Sequence, residues 1–592
     1  MRKSRAAEKM RQMKPIGLII AVIGALGLAT CSIAPGTNAF KEQRAAAQTR
    51  TENARGYADF LRGRYASLTN DPHQAALFYA GAIKTNPYDQ DILERAVFTA
   101  LISGHVDTAT AIAQNAKSET LKHTSLPRLV LGVEALKQGK SKRAERLLTP
   151  ETSSLFNDTI ARNLIAWALV DNNKPETALA ILETTNIGNS LFDGLTGSTR
   201  AFIQLHMGDD AGALATLDEM WQANIRLAST TEYHARLLAR TGDREEAARL
   251  LNHFSSHIGQ NAAIRTLHTE IESGQDIPLA PPGILEGAAL SIYTPAAALA
   301  AQTHSDLSGV YFALALALDP ELHVARTLWG DSLDNANRRE AAIELLSSVP
   351  ETSVFYATAR GQIAWALRRE ERNEEALQTA RQALNFAEDR NLKIQLGDLF
   401  RSLEQHKEAE GIFTEIIEED AKSDVEDWRL LYARGAALQE LDRWDASQAD
   451  LIRANEIAPG QPNLLNYLGY SWVDRGIKLE QGLEMIQRAE KLRPNAGFIV
   501  DSLGWAHFKL GNYGQAITHL ERAAELSPTE ALINEHLGDA YWRGGRRLEA
   551  GFQWNRAIRL DPESDHLQRL EAKIEKGLDR ATAHSVAHSQ QD

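Results

Sequence analysis

The 592 residues contain a single cysteine, Cys31, which rules out an intramolecular disulfide and any cysteine-rich metal site. No phosphate-binding loop, nucleophile elbow, HExxH or GxGxxG motif occurs in the chain, so the commonest nucleotide, hydrolase and metalloprotease chemistries have no anchor in it. Alternating apolar and polar runs of strand length are missing too. Two histidine pairs stand four residues apart, His253 with His257 and His584 with His588. Neither has a third ligand at metal-site spacing, and no metal or other cofactor is expected. Carboxylates are abundant, with 78 Asp and Glu against 64 Lys and Arg. Spread along helices they read as solvated faces, and nothing selects two of them as an acid and a base. The formal charge of −14 is unevenly placed: the first thirty residues carry six cations and one acid, and removing that net +5 leaves about −19 for the rest. Such a body repels phosphate backbones, which argues against nucleic acid as a partner.

What is present begins at the N-terminus. A basic stretch through Lys14 precedes an apolar run, PIGLIIAVIGALGLA, short for a bilayer span and of the length of a secretory signal. The segment Leu28-Ala29-Thr30-Cys31 that closes it resembles a bacterial lipobox, with Thr30 where glycine or alanine is usual. The resemblance implies cleavage after residue 30, diacylglycerol on the Cys31 thiol and, with Ser32 next, sorting to the outer membrane facing the periplasm. An uncleaved anchor, or a conventional signal peptide cut near TNAF, is the alternative. A thioether-linked diacylglycerol with an N-acyl chain buries enough methylene groups for stable anchoring.

Beyond residue 50, Ala, Leu, Glu and Arg recur at helical spacing, and a longer period is superimposed on it. Gly435, Gly469, Gly504 and Gly538 lie 34 or 35 residues apart, as do Pro459, Pro494, Pro528 and Pro562. This is the period of the tetratricopeptide repeat, a helix–turn–helix unit of 34 residues. The glycines sit where the second helix crosses the first, Ala516 and Ala550 are the matching small residues on the second helix, and the prolines stop that helix. Ala454, Ala489, Ala523 and Ala557 face the next unit, and Trp472 and Tyr541 take the large aromatic position. Upstream, Ala75, Ala109, Ala144, Ala178, Ala213 and Ala247 keep the spacing, and Ala342, Ala376 and Ala409 resume it.

The expected fold is therefore an all-α, right-handed tetratricopeptide solenoid of about fourteen repeats in two stacks. The expected boundaries are a signal over 1–30, a linker over 31–54 and an N-terminal stack over 55–258. A joint over 259–283 follows, where GQDIPLAPPG interrupts the period, and GILEGAALSIYTPAAALA restarts a C-terminal stack over 284–562. A capping helix over 563–580 covers the apolar edge of the last repeat, as a solenoid requires, and residues 581–592 form a disordered tail.

Stacked repeats line up the second, fifth, ninth and twelfth positions of their first helices along one wall. In the three best-formed units that wall carries Asn466 and Tyr470, then Phe498, Asp501, Trp505 and Phe508, then Glu535, Asp539 and Trp542, with Lys509 and Arg543 beside them. Rings flanked by amides and charges suit a protein or peptide ligand: the rings supply contact area and the polar groups fix register. Packing of Trp505 and Trp542 against a neighbouring repeat or the cap is the alternative. The mixed charge does not make a dedicated carboxylate clamp.

FLRGRYASLTNDPHQAALFYAGAIKTNP, GILEGAALSIYTPAAALA ahead of YFALALALDPELHVARTLWGDSL, and YLGYSWVDRG ahead of DSLGWAHFKLG follow one another in order. In this the chain resembles a group of proteobacterial tetratricopeptide lipoproteins, over most of residues 55–575. The group includes outer-membrane adaptors that bind periplasmic carboxy-terminal processing proteases and deliver substrates to them. The resemblance implies a non-enzymatic envelope scaffold whose partners are proteins or peptides, among them a processing protease. An assembly factor for an envelope or polysaccharide-export complex is a second reading. An enzyme with its site in the joint, near His253, His257 and His268, is a third.

Overall fold

The computed structural model describes residues 38–149, 155–183, 190–259, 261–302, 307–386, 389–561 and 567–578. Cys31, His584 and His588 lie outside them. Among the described residues every regular element is a helix.

The repeat is built by two local devices. Within a unit, the turn between helices needs one residue in the left-handed region. Gly476, Gly511 and Gly545 supply it at φ of 70°, 80° and 84°, and Asn337, Glu371, Glu404 and Asp442 take the same role at φ near 60°. Between units, the second helix ends at a residue pulled out of helical geometry by the proline after it. Ala458, Arg493 and Ser527 all cap their helices at φ of −132° to −137°, directly ahead of Pro459, Pro494 and Pro528.

The chain forms two compact units, and their boundaries differ from the expected ones. The first comprises residues up to Thr241 together with Pro278–Glu321; the second comprises Gly242–Ile277 and everything from Leu322 onward. Residues 38–54, expected as linker, already belong to the 31-residue helix Asn38–Leu68. The expected joint holds a helix of its own, Ala262–Glu272, whose Arg265 pairs with Asp389 at 2.8 Å inside the second unit.

In the first unit, helix pairs stack from Asn38–Leu68 to Ala228–Thr241, and the segment expected to restart the C-terminal array returns to this stack instead. Ile284–Gln302 packs on Leu155–Asp171 and Ser190–His206, and Leu307–Leu318 packs on Gln90–Ile102 and Leu126–Lys137. These are the first helices of successive repeats, so the hairpin lies along the wall that stacked first helices present. The reason is composition. A repeat helix keeps one polar face, but Ala288, Ala289, Ile292, Ala296, Val310, Phe312, Leu314 and Ala315 leave this hairpin with none, and all are fully buried. Ile284–Ala301 is long and apolar enough to cross a bilayer by length and composition; half of it is buried here. Three of the hairpin's buried hydroxyls are matched, Thr294 by Ser229 at 3.1 Å. Ser291 accepts hydrogen bonds from Trp167 Nε1 at 2.9 Å and Thr199 Oγ1 at 3.0 Å, and Tyr311 donates to Asn157 Oδ1 at 2.5 Å. Gly287 admits the Trp167 ring so closely that a Cβ there would lie 2.1 Å from Cζ2.

In the second unit the repeats run in frame from His323–Asn335 to Arg547–Leu560, and Leu567–Lys576 follows them. Here the expected crossings are seen. A Cβ on Gly469 would stand 2.9 Å from the Gly482 carbonyl, one on Gly504 2.5 Å from Leu520 Cγ, and Ala516 and Ala550 are fully buried. Ala516→Leu is therefore expected to destabilise the protein by roughly 1–3 kcal/mol through overpacking. Gly551, mid-helix with nothing within 4 Å of an added Cβ, should gain about 0.5–1 kcal/mol as Gly551→Ala. Calorimetric melting of the two variants checks both, and an unchanged transition for Ala516→Leu would contradict the crossing.

Candidate interaction surface

The eleven residues expected on the groove wall fall on three consecutive first helices, Pro462–Asp474, Gly497–Lys509 and Ala531–Arg543. The structure gathers most of them into two polar–aromatic clusters that the chain itself largely closes.

The first cluster centres on Trp505, which is 9% exposed. Its ring stacks on His536 at 4.0 Å and on Phe508 at 4.7 Å, its Nε1 donates to Asp474 Oδ1 at 3.0 Å, and the Lys509 ammonium lies 5.2 Å from the ring centre. Lys509 is itself tied to the Asp474 carbonyl at 2.7 Å. Asp501 is buried and accepts from His536 Nδ1 at 3.0 Å. Tyr470 packs half-buried against this group; burial, then the carboxylates of Asp474, Asp501 and Glu535, push its hydroxyl above the ordinary range. Asn466 is buried beside it. The packing alternative for Trp505 is thus the one realised: its ring holds two repeats together.

The second cluster belongs to the last repeat and the helix after it. Lys573, 3% exposed, sends its ammonium between Glu535 at 2.6 Å and Asp539 at 2.7 Å, and Arg569 adds a contact to Glu535 at 2.8 Å. Asp539 also accepts from Trp554 Nε1 at 2.8 Å. Trp542 lies 5.5 Å from Trp554, half-buried, and Arg543 is exposed. Leu570 and Leu578 join Leu537, Tyr541 and Trp554 in one apolar core, so the helix covers the edge it was expected to cover.

Lys573, Arg569 and His536 were not anticipated, although a signal existed. Arg569 and Lys573 stand one repeat length, 34 residues, beyond Glu535 and Asp539. The cap thus occupies the register of a further first helix, with cations at the fifth and ninth positions facing the previous repeat's acids. Burial raises both carboxylates. For Glu535 the ammonium of Lys573 and the guanidinium of Arg569 outweigh it and leave the pKa lowered; for Asp539 burial wins and it stays raised. His536 is likewise pulled down by burial but carried above 6.5 by the Asp501 carboxylate.

In the first unit, the hairpin covers the wall of first helices as far as Gln90–Ile102, and there two openings adjoin. One of about 320 Å³ is lined by Arg95, Phe98, Leu126 and the hairpin residues Leu307, Val310 and Tyr311, among others. The other, of about 190 Å³, shares Arg95 and Phe98 and reaches Tyr79 and Ile102. No group of three or more metal-capable side chains occurs among the described residues.

Residues 502–565 match the family model of the tetratricopeptide repeat. The fold is an all-α tetratricopeptide solenoid. A TPR repeat-containing protein of Pseudomonas aeruginosa is 32% identical over 104 residues, which is 18% of this chain and 18% of that relative's length. Among solved structures, the APC/C hetero-tetramer Cut9–Hcn1 overlaps at 16% identity with a TM-score of 0.38, covering 88% of this chain and 96% of its own. A tetratricopeptide protein from Parabacteroides merdae overlaps at 14% and 0.36, covering 42% of this chain and 96% of its own.

Two outcomes follow for the second unit. Lys573→Met leaves two buried carboxylates without their ammonium and should cost about 3–5 kcal/mol, read as a lower denaturant midpoint; a shift below about 1 kcal/mol would mean that the acids reach water. His536, held charged by Asp501, contributes stability that is complete below its unfolded value and fades as pH rises through its raised folded value. Its ring should titrate above 6.5 by NMR. Asp501→Asn should lower that value, since burial is then opposed by the Asp539 and Glu535 carboxylates without the Asp501 partner.

Proposed function

We propose that this protein is a non-enzymatic scaffold of the bacterial envelope, anchored by lipid at Cys31, that holds protein or peptide partners against its repeat surface and presents them to a processing protease. The observation that carries the reading is the repeat architecture itself. Its helices are spent on building a surface, and the buried polar groups at the candidate positions hold repeats together instead of converging on a reacting atom. The resemblance to envelope adaptors supplies the protease, and the lipobox-like segment supplies the anchor and the periplasmic side of the outer membrane.

The start of the fold suits that placement. Helix Asn38–Leu68 begins seven residues after Cys31 and has 31 residues, which at helical rise is about 46 Å. A lipid on Cys31 would thus be followed by the exposed first half of this helix, up to Arg55, before the half that packs on Pro72–Thr85. Intact mass of protein extracted from membranes should lack residues 1–30 and carry diacylglycerol plus one acyl chain, and Cys31→Ser should release the protein from the membrane fraction. An unmodified N-terminus would overturn the anchor.

A further inference from the structure

Helix Asn38–Leu68 carries an apolar stripe on the side that the first unit leaves open. A first helix inside a repeat stack is packed on two sides, by its own partner and by the second helix of the repeat before it, as Gln90–Ile102 is by Val106–Gln114 and Pro72–Thr85. Among the described residues Asn38–Leu68 has only the first of these, and no helix precedes it. Its packed side holds Gly56, Gly63 and Ala66, all buried, and a Cβ on Gly63 would stand 2.8 Å from the Tyr79 ring. On the opposite side Tyr57, Leu61, Tyr65 and Leu68 follow one another at spacings of four, four and three, which is one line along a helix, and each is between 52% and 81% exposed.

Positive charge runs along the same line. Arg50 and Arg64 stand seven residues either side of Tyr57, two helical turns away, so they share its face. Both are exposed. Residues 50–64 hold four arginines against Glu52 and Asp59, in a chain that is acidic beyond its first thirty residues. A second copy of this helix would bring the same arginines against these, so like charge opposes self-pairing. Leucines and tyrosines in line with arginines suit instead the boundary between water and lipid, where a phenol ring keeps its body in the apolar layer and its hydroxyl among headgroups.

We propose that this face lies on the surface of an anionic phospholipid bilayer, with Leu61 and Leu68 entering the acyl boundary, Tyr57 and Tyr65 at headgroup depth and Arg50 and Arg64 on lipid phosphates. The proposal deepens the envelope reading and rests on it. Seven residues separate Cys31 from Asn38, at most about 25 Å of extended chain, so a lipid on Cys31 holds the start of the helix near the membrane. Standing upright, the helix would carry Tyr57 about 28 Å further out. Lying flat, it brings the whole stripe to the surface, and the bilayer covers the edge of the stack that no helix covers.

The test uses the mature full chain carrying Leu61→Cys, labelled on that thiol with the fluorophore NBD and reconstituted into vesicles of phosphatidylcholine with or without phosphatidylglycerol. Phe552→Cys, exposed in the second unit, is the control. With phosphatidylglycerol present, quenching of the Leu61→Cys probe by acrylamide should fall about threefold or more as the site leaves water, and doxyl-labelled lipid should quench it instead. The control probe should stay open to acrylamide in both vesicles. Arg50→Glu with Arg64→Glu should abolish the shielding at an unchanged melting temperature. Equal acrylamide access in the two vesicles would overturn the proposal and leave the anchor in place, and shielding already complete in detergent without phospholipid would assign the face to a second copy. Two free thiols per labelled chain, in place of one, would overturn the anchor by itself. The face is then read in the same way on the Cys31→Ser, Leu61→Cys chain, where shielding by phosphatidylglycerol vesicles supports it and none overturns it.

Discussion

Everything in this molecule depends on two helices crossing closely enough that backbone meets side chain or backbone. In the second unit the Gly469–Gly482 and Gly504–Leu520 approaches leave no room for a Cβ. Each crossing fixes one helix pair, and neighbouring pairs then bury Leu, Ala and aromatic side chains between them. Because each unit touches mainly its neighbours, the strength of the array is the sum of such local closures. The ends and the inner wall are where that sum is incomplete, and there the chain departs from plain repetition.

The two departures use opposite physics. At the end of the second unit the exposed edge is closed by charge as well as by apolar packing: Lys573 and Arg569 meet Glu535 and Asp539 in a site with little water. Such a network adds modest net stability when complete, but it tolerates no missing partner. In the first unit the inner wall is covered by an apolar hairpin whose Ser291 and Tyr311 hydroxyls are bonded to Trp167, Thr199 and Asn157.

Trp505 shows how burial decides between two readings of one residue. Its position in the repeat is one that faces a ligand in an open array, and its chemistry fits either fate. The adjacent repeat places His536 at stacking distance, and Asp474 takes the indole N–H. Once both faces and the donor are satisfied within the protein, the ring contributes to cohesion between repeats. Phe498, at the second position of the same helix, stays 47% exposed.

The sequence by itself determined the helix–turn–helix unit, its period and the small residues at its crossings, because these are local constraints repeated every 34 residues and legible in Gly469, Gly504, Gly538 and the prolines. It also determined that a helix must follow Pro562 to cover the last edge. The destination of residues 284–318 could not be read from it: their apolar composition demands burial but does not say against what, and a segment in register with a repeat looks like one. Only the tertiary structure decided that this hairpin lies on the first helices of the N-terminal stack. It likewise decided that Lys573 would seat between Glu535 and Asp539, since pairing across repeats depends on the distance between stacked helices, which no single repeat encodes.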